Sequence, residues 1–187
     1  MKKHILTAVL YTAVTAVLLG VVYPLAITGI AHILFPSQAS GSLIQPKDAV
    51  LGSRLIGQAF TGAGYFHSRP SAAGAGYDAQ ASSGSNLAPT SKALVDRIQA
   101  SVATEQSGQP VPVDLVTASA SGLDPDITPA AAFYQVPRVA HERHLPESAV
   151  ADLVRQHITP RQFGLLGEPR VNVLELNLEL NSLVQPK

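Results

Sequence analysis

The sequence of 187 residues contains no cysteine and no tryptophan, and only 5% of its residues are aromatic. Without cysteine it can hold no disulfide, no thiolate nucleophile and no cysteine-ligated metal centre. The shortage of aromatic rings disfavours a single-strand nucleic-acid binder, which stacks bases on such rings. Charge is also scarce, because 13 basic and 13 acidic residues make up 14% of the chain and cancel. A chain without net positive charge lacks the basic face that nucleic-acid binding requires.

Charged residues are missing altogether from one long stretch near the N-terminus. Lys2 and Lys3 are followed by residues 4–46, which contain no Asp, Glu, Lys or Arg. Residues 5–35 are dominated by Ala, Val, Leu and Ile, and they exceed the about 20 apolar residues that a membrane-spanning helix needs. A secretory signal peptide has an apolar core of only about 7–15 residues. The stretch therefore predicts an uncleaved membrane anchor.

The two N-terminal lysines also predict an orientation for this anchor. By the positive-inside rule, Lys2 and Lys3 hold the N-terminus in the cytoplasm. We therefore expect residues 1–4 to form a cytoplasmic tail and residues 5–35 to form the transmembrane helix. Residues 36–187 are then expected to form a domain outside the cytoplasm.

Small side chains recur every four residues along the anchor. Ala8, Thr12, Ala16 and Gly20 fall on one helix face, and such a face lets another helix approach closely. An alanine-rich span shows the same spacing by composition alone, so a packing face and a chance pattern are equally good interpretations. Pro24 removes a backbone donor deep in the span and predicts a kink.

The rest of the chain alternates between loop-rich and regular segments, which predicts one small α+β domain behind the anchor. Each of three predicted helices is marked by a capping residue or a proline at its start. Pro137 is expected to bend or end the second helix. The three helices are predicted to begin at Thr90 or Ser91, at Thr128-Pro129 and at Pro146-Glu147.

Strands are predicted at residues 54–60, 113–118 and 174–180. The last prediction depends on a strict alternation of leucine with Glu and Asn, a period of two that is typical of a strand with one buried face. Residues 62–89 are rich in Gly, Ser, Ala and Asn and are too long for a simple connection. They are expected to be either a mobile segment or a functional loop.

Motifs that carry enzyme chemistry are absent from the sequence. It has no phosphate-binding Gly-x-x-x-x-Gly-Lys motif, no Gly-x-Ser-x-Gly elbow and no His-Glu-x-x-His zinc motif. His141 and His144 are spaced to share a metal, but a solvated helix end is the favoured interpretation. Asp124 and Asp126 flank a proline, and this pattern is more typical of a turn than of a catalytic carboxylate pair. We therefore expect no catalytic residue and no metal site.

Three arginines lie beside prolines that restrict the backbone. Arg69, Arg138 and Arg170 each have a proline as sequence neighbour. A fixed backbone favours arginines that make permanent ion pairs or form a docking surface over arginines that move freely. All three are candidate docking residues.

Five ordered segments of the chain resemble the KdpC family, whose members are accessory subunits of bacterial potassium-transporting Kdp ATPases. The anchor helix fits the same family, so the resemblance covers nearly the whole chain. The segments are Tyr-Phe-His-Ser-Arg-Pro-Ser-Ala (65–72), Gly-Ser-Asn-Leu (84–87), Ser-Gly-Leu-Asp-Pro (121–125), Gln-Val-Pro-Arg-Val-Ala (135–140) and Val-Asn-Val-Leu-Glu-Leu-Asn (171–177).

The resemblance implies a non-catalytic, single-pass subunit of an ATP-driven potassium uptake complex in the bacterial inner membrane. Its implied partners are a KdpA-like channel subunit, a KdpB-like P-type ATPase subunit and a KdpF-like small peptide. The resemblance also implies a role as a catalytic chaperone that raises the ATP affinity of the pump subunit. It links Gln135 to this nucleotide effect, although ATP itself enters only through the ATPase subunit and no stably bound cofactor is expected.

The implied role of Gln135 conflicts with the predicted orientation. The positive-inside rule places Gln135 outside the cytoplasm, whereas ATP binds inside. Our hypothesis reconciles the implied role with the predicted orientation. In it, the domain outside the cytoplasm lies on the channel subunit, near the entrance for the ion. There it holds the complex together and influences ATP affinity at a distance if at all. The alternatives are an anchored extracytoplasmic hydrolase and a membrane-tethered sensor with residues 62–89 as its ligand pocket.

Overall fold

A computed structural model describes residues 1–45 and 49–184 of the chain. The chain divides into two compact units, Met1–Val50 and Leu51–Lys187. The first is dominated by one long apolar helix and the second is a small domain of helices and short strands. The predicted fold class, an N-terminal membrane-type helix followed by an α+β domain, is confirmed.

The first unit begins with a continuous helical segment, Lys2–Leu34, of 33 residues. It consists of helix α1 (Lys2–Val17), a π-helical turn (Leu18–Val22) and helix α2 (Tyr23–Leu34). At 1.5 Å per residue its length is about 50 Å, well above the about 30 Å hydrocarbon thickness of a bilayer. No residue of the segment is buried. Its length and composition are sufficient to cross a membrane.

The irregularity that Pro24 predicts takes the form of the π-helical turn. The backbone N–H of Tyr23 donates to the carbonyl of Leu18, five residues back instead of four. Pro24 lies in the first turn of α2, where the missing N–H is tolerated. After α2 the same unit continues with the short helix α3 (Pro36–Ala39) and strand β1 (Leu43–Ile44).

The second unit contains four helices and four short strands among its described residues. In chain order these elements are β2 (Gly52–Ser53), α4 (Lys92–Glu105), β3 (Asp126–Ile127), α5 (Pro129–Arg143), α6 (Glu147–Gln156), β4 (Ile158–Thr159), β5 (Arg170–Asn172) and α7 (Val173–Val184), with 3₁₀ turns at Ala79–Ala81 and Val113–Leu115. Strands β3, β4 and β5 form an antiparallel sheet in the order β3-β5-β4.

The core of this domain lies where α5 and α7 pack against the central strand β5 and α6 packs against both of these helices. Val171 of β5 pairs with Ile127 on one side and Ile158 on the other, and its side chain is fully buried. Helix α5 starts as predicted, because the Thr128 hydroxyl accepts from the N–H of Ala131 and Pro129 occupies the first turn. The core includes Phe66, Leu115, Ile127, Ala131, Val136, Val139, Val150, Val154, Val171, Leu176 and Leu180.

The strand predicted at residues 174–180 is wrong, because these residues belong to helix α7. The buried positions are Val173, Leu176, Asn177 and Leu180, together with Leu174. The first four have the spacing i, i+3, i+4 and i+7 of one helix face. The alternating leucines satisfy a period of two, but burial follows the helical period.

Two other predicted strands differ from the structure, and one of the two alternatives for Pro137 is excluded. Residues 113–118 contain a 3₁₀ turn at Val113–Leu115 and not a strand. Residues 54–60 contain no strand, since β2 ends at Ser53. Helix α5 does not end at Pro137 but runs to Arg143, with the proline ring on its exposed side. The helices predicted after Ser91 and from Pro146-Glu147 are confirmed as α4 and α6.

Candidate functional site

Two buried amide side chains hold the loop backbone at residues 66–67. Asn177 of α7 accepts from the N–H of Phe66 at 2.9 Å and donates to its carbonyl at 2.9 Å. Gln135 of α5 accepts from the N–H of His67 at 2.7 Å and donates to its carbonyl at 3.2 Å. Each amide therefore pairs with both the backbone N–H and the carbonyl of one loop residue, as a neighbouring β-strand would. We call this pair of side chains the amide clamp.

Gln135 has no hydrogen-bonding capacity left beyond the clamp. Its carboxamide oxygen also accepts from the Arg138 guanidinium at 2.7 Å, and its nitrogen also donates to the Ala131 carbonyl at 3.2 Å. The residue is 1% exposed. A carboxamide provides two donors and two acceptor sites, and all four are used here. Any direct ligand of Gln135 would first have to displace one of these partners.

Arg138 and Arg143 fasten the preceding part of the same loop. Arg138 donates to the carbonyl of Tyr65 at 3.0 Å and also to that of Ala63. Arg143 donates to the carbonyl of Gly64, and its guanidinium lies 4.4 Å from the centre of the Tyr65 ring. Burial lowers the pKa of Arg138, while Glu105 and Glu142 act to raise it. Arg138 and Arg143 of α5 thus fix residues 63–65.

A half-buried ion pair joins this loop to helix α4. The His67 Nδ1 lies 2.8 Å from a carboxylate oxygen of Glu105, the last residue of α4, and the His67 Nε2 lies 3.3 Å from the Gly62 carbonyl. Burial raises the pKa of Glu105, but the hydrogen bond and charge of His67 and the charge of Arg138 outweigh it and hold this pKa below its ordinary value. Both ring nitrogens of His67 are therefore engaged within the chain.

An open cavity of about 390 Å³ lies between α4 and the loop. His67, Ser68, Pro70 and Tyr77 line one wall, so the loop predicted as a ligand pocket for a sensor does border a cavity. Burial raises the pKa of Tyr77, whose hydroxyl donates to the Arg69 carbonyl at 2.5 Å. The polar groups of this wall are thus occupied by contacts within the domain.

The two proline-flanked aspartates form a turn and bind arginines. Asp124 accepts from the N–H of Asp126 at 3.1 Å, which is the hydrogen bond of an Asx turn. Arg69 lies 3.1 Å from Asp124, and Arg170 lies 3.0 Å from Asp126. Burial raises the pKa of Asp126 even though Arg170 and Asn172 favour its charged form. The predicted turn is confirmed.

The three proline-flanked arginines share one property, which is that each guanidinium binds acceptors of its own domain. Arg69 and Arg170 make the ion pairs just described, and Arg138 binds loop carbonyls. The predicted ion pairs are therefore found at Arg69 and Arg170, whereas Arg138 binds carbonyl groups. Their role in docking to a partner stays a prediction.

The predicted helix end at His141 and His144 is confirmed. Helix α5 ends at Arg143, and His144 follows in the left-handed region with a φ of +55°. His141 is an exposed neighbour of Glu142, 3.3 Å from its carboxylate. Within residues 1–45 and 49–184, no group of three or more His, Asp or Glu side chains is arranged to hold a metal ion.

Asn177 is the functional residue that sequence reasoning missed. The predicted strand placed it on the exposed face with the other polar residues, whereas the helix turns it into the core at 1% exposure. A signal was present, since Val173, Leu176 and Leu180 have helical spacing to Asn177. The partner that explains it, Phe66, lies 111 positions away along the chain.

The small residues of the anchor are all exposed in the N-terminal unit. Ala8, Thr12, Ala16 and Gly20 are exposed, and the space beside Gly20 is open to at least 4 Å among the described residues. The packing of this face against a partner helix stays a prediction.

The whole architecture, from the anchor helix to α7, is found in a known family. Residues 5–182 match the family model described as KdpC: K+-transporting ATPase, c chain. The potassium-transporting ATPase KdpC subunit of Acidobacterium capsulatum is 64% identical, over 97% of this chain and 99% of its own length. The KdpC subunit of Koribacter versatilis is 57% identical, over 97% of this chain and 95% of its own length. That of Gemmatimonas aurantiaca is 55% identical, over 98% of this chain and 94% of its own length. Because the match includes both the apolar helix and the clamped α+β domain, the chain belongs to the KdpC family of potassium-transporting ATPase subunits.

Proposed function

We propose that this protein is the accessory, non-catalytic subunit of an ATP-driven potassium uptake complex in the bacterial inner membrane. Its proposed partners are a KdpA-like channel subunit, a KdpB-like P-type ATPase subunit and a KdpF-like small peptide. The observation that carries the proposal is the family match over residues 5–182, which spans the anchor and the domain together. A match limited to the domain would support only a shared fold.

The chemistry of the domain supports a role in assembly over catalysis. The polar side chains that lie deepest in it, Gln135 and Asn177, hold the loop backbone at residues 66–67. His67, a half-buried histidine that lines the cavity beside α4, has both ring nitrogens engaged by Glu105 and Gly62. A hydrolase needs a base next to a nucleophile, and His67 has no such neighbour among its hydrogen-bond partners. These features suit a rigid body that docks to other subunits.

The domain is proposed to lie outside the cytoplasm, because Lys2 and Lys3 precede the anchor. The absence of native cysteine allows a direct test with single-cysteine variants. Val113 is exposed, so a Val113→Cys variant in intact spheroplasts is expected to react with a membrane-impermeant maleimide. A Lys2→Cys variant should react only after lysis. The reverse pattern would contradict the orientation.

Gln135 is proposed to influence the ATP affinity of the pump subunit only as a positioning residue. Its burial and its four hydrogen bonds support this, since a nucleotide ligand needs free donors or acceptors. On this proposal the effect travels through the loop that Gln135 and Asn177 hold in common.

Co-purification of the full complex tests the main proposal. The tagged full-length chain, expressed with the other subunits of its transporter, is extracted in mild detergent. We expect it to elute with a multi-span pump whose ATPase activity rises with potassium. Elution of the chain alone would overturn the proposal and favour an anchored enzyme or sensor.

The role of Gln135 is tested by comparing Gln135→Ala with Asn177→Ala in that complex. Each variant breaks one half of the amide clamp. Both are therefore expected to raise the KM for ATP, and the rise should follow how much each variant destabilises the domain. A KM effect confined to Gln135→Ala, with Asn177→Ala equally destabilised, would show that Gln135 contacts the nucleotide and would overturn the positioning role.

A further inference from the structure

Helix α4 is the most loosely packed of the four helices of the domain. All of its residues are exposed or half-buried, including the apolar residues Leu94, Ile98 and Val102. In contrast, α5, α6 and α7 each contribute fully buried side chains to the core. The cavity of about 390 Å³ lies beside α4, so this helix borders open space. Segments with few buried contacts open locally at a low free-energy cost, and we therefore expect α4 to open more readily than the other three helices.

Polar contacts attach α4 to the rest of the domain at its middle and at its C-terminal end. In the middle, Arg97 donates to the carbonyl of Ser71 at 2.9 Å. At the end, the Tyr134 hydroxyl donates to the backbone carbonyl of Glu105 at 2.9 Å, and the Glu105 carboxylate lies 2.8 Å from the ring of His67. A histidine changes its charge near neutral pH, so the contact with His67 is the one of these three that depends on pH there.

The contacts of His67 require that both of its ring nitrogens carry a proton. Its Nδ1 faces a carboxylate oxygen of Glu105 and its Nε2 faces the carbonyl oxygen of Gly62, and both oxygens accept hydrogen bonds. A neutral imidazole has one N–H, so it can donate to one of these oxygens and must turn a lone pair toward the other. The geometry therefore corresponds to the charged, imidazolium form of His67.

The other titratable groups around His67 keep their charge state near neutral pH. Glu105 of α4 stays ionised, because its pKa lies below its ordinary value. Arg138 of α5 lines a small cavity beside His67 and stays charged, which opposes the imidazolium. The Tyr134 hydroxyl keeps its proton to donate to a carbonyl, and burial raises the pKa of Tyr77 in the loop. Between about pH 5 and 8, His67 is therefore the group of this cluster that titrates.

We propose that His67 and Glu105 form a pH-sensitive latch, which holds the C-terminal end of α4 on the loop while His67 is charged and releases it when His67 loses its proton. Loss of the proton removes the charge that faces Glu105 and one of the two hydrogen bonds of the ring. The adjoining cavity leaves the end of α4 room to move. The latch is therefore closed at low pH and opens as the pH rises. It goes beyond the proposed function, because it belongs to the domain alone and requires no other subunit.

Hydrogen–deuterium exchange of the full chain in detergent tests the latch. The exchange rates of the α4 amides are measured at about pH 5.5 and about pH 8, on either side of the histidine range, and are divided by the intrinsic rates at each pH. We expect this protection of α4 to fall by about tenfold or more at the higher pH, the contribution of a hydrogen bond to a charged group. The amides of α7, which contains no histidine, should keep their protection. Unchanged or rising protection of α4, or an equal fall in α7, would overturn the proposal.

Two variants at residue 67 separate the charge of the latch from the conformation of the loop. His67→Asn keeps the backbone groups that Gln135 binds but carries no charge, so its α4 should be as weakly protected at the lower pH as that of the wild type at the higher pH. His67→Lys stays charged at both pH values, so the protection of its α4 should not depend on pH. Wild-type protection in His67→Asn at the lower pH, or a wild-type pH dependence in either variant, would overturn the proposal.

A matched control is available at a second contact between a histidine and a carboxylate. His141 lies 3.3 Å from Glu142, but the pair is exposed on α5 and is not a contact of α4. His141→Asn should therefore leave the pH dependence of α4 protection as in the wild type. Loss of that dependence in His141→Asn would show that the signal does not come from His67 and would overturn the latch. Since co-purification with the pump is a separate measurement, failure of the latch leaves the proposed function intact.

Discussion

The helical segment Lys2–Leu34 and the helices of the domain differ in where they place their apolar side chains. In the N-terminal segment large apolar residues are exposed on every face, as at Leu25 with 67%. In α5 and α6 they are confined to one buried face, with Val139 and Val150 at 0%. A helix that is apolar all round requires an apolar surrounding, whereas an amphipathic helix builds its own interior. The first region therefore requires an apolar environment outside its own unit, whereas the second takes its stability from its own packing.

The two regions also differ in how they treat polar groups. The domain buries Gln135 and Asn177 and satisfies both amides with loop backbone. In the N-terminal segment the hydroxyls of Thr7 and Thr15 donate to carbonyls one turn back. Polar groups in the segment are thus satisfied locally, as a lipid environment requires, while in the domain they join distant parts of the chain.

The largest effect is expected from a cavity in the domain core. Phe66→Ala should lower the free energy of unfolding of the domain by about 3–5 kcal/mol, because Phe66 is fully buried among the core residues. Leu25→Ala in the N-terminal segment should leave domain unfolding unchanged. Denaturant titration of the full chain in detergent measures both. An equal loss from Leu25→Ala would show that the segment packs as part of the core and would remove the contrast.

The next effect is expected from the amide clamp. Asn177→Leu should cost about 2–4 kcal/mol, since it leaves the buried N–H and carbonyl of Phe66 without partners. Asn181→Leu, on the same helix, removes only the half-exposed hydrogen bond to Arg143 and should cost less than about 1 kcal/mol. Denaturant titration compares the two variants directly. Equal losses would mean that the clamp adds nothing to an ordinary surface contact.

A smaller effect is expected from Glu105, and it depends on pH. Because the pKa of Glu105 is lower in the folded than in the unfolded domain, its stabilisation is complete above the ordinary value of 4.5 and is lost as the pH falls through the folded pKa. Glu105→Gln should cost about 1–2 kcal/mol at pH 7 and flatten this acid-side loss, as measured by unfolding across a pH series. Adding His67→Asn should then cost only what the Nε2 contact with the Gly62 carbonyl contributes, because the charged contact with Glu105 is already gone. Full additivity of the two changes would contradict the pairing.

The smallest effect is expected from an exposed ion pair on α4. Like the N-terminal segment, α4 has no fully buried residue, and Lys92 and Asp96 pair on its solvent side. Lys92→Gln should change domain stability by less than about 0.5 kcal/mol, and by less still in high salt. Thermal unfolding at two salt concentrations measures it. A loss near that of Glu105→Gln would show that surface charge, and not the His67 contact, attaches α4.

Predictions from local sequence succeeded where one short segment determines the structure. Thr128 and Pro129 start α5, and the Asp-Pro-Asp turn forms, because a cap or an Asx turn needs partners only two or three residues away. The prediction failed at α7, since alternating leucines suit both a strand and a helix. Packing against α6 and β5 decided between them.

The sequence by itself determined that the chain carries an apolar anchor, a sparsely charged α+β domain and the motifs of its family. Each of these depends on composition or on neighbouring residues. Only the tertiary structure decided that Gln135 and Asn177 are buried structural amides, because their partners lie 68 and 111 positions away. Local spacing can indicate which face of a helix is buried, but the partner that a buried side chain binds is specified only by the packed chain.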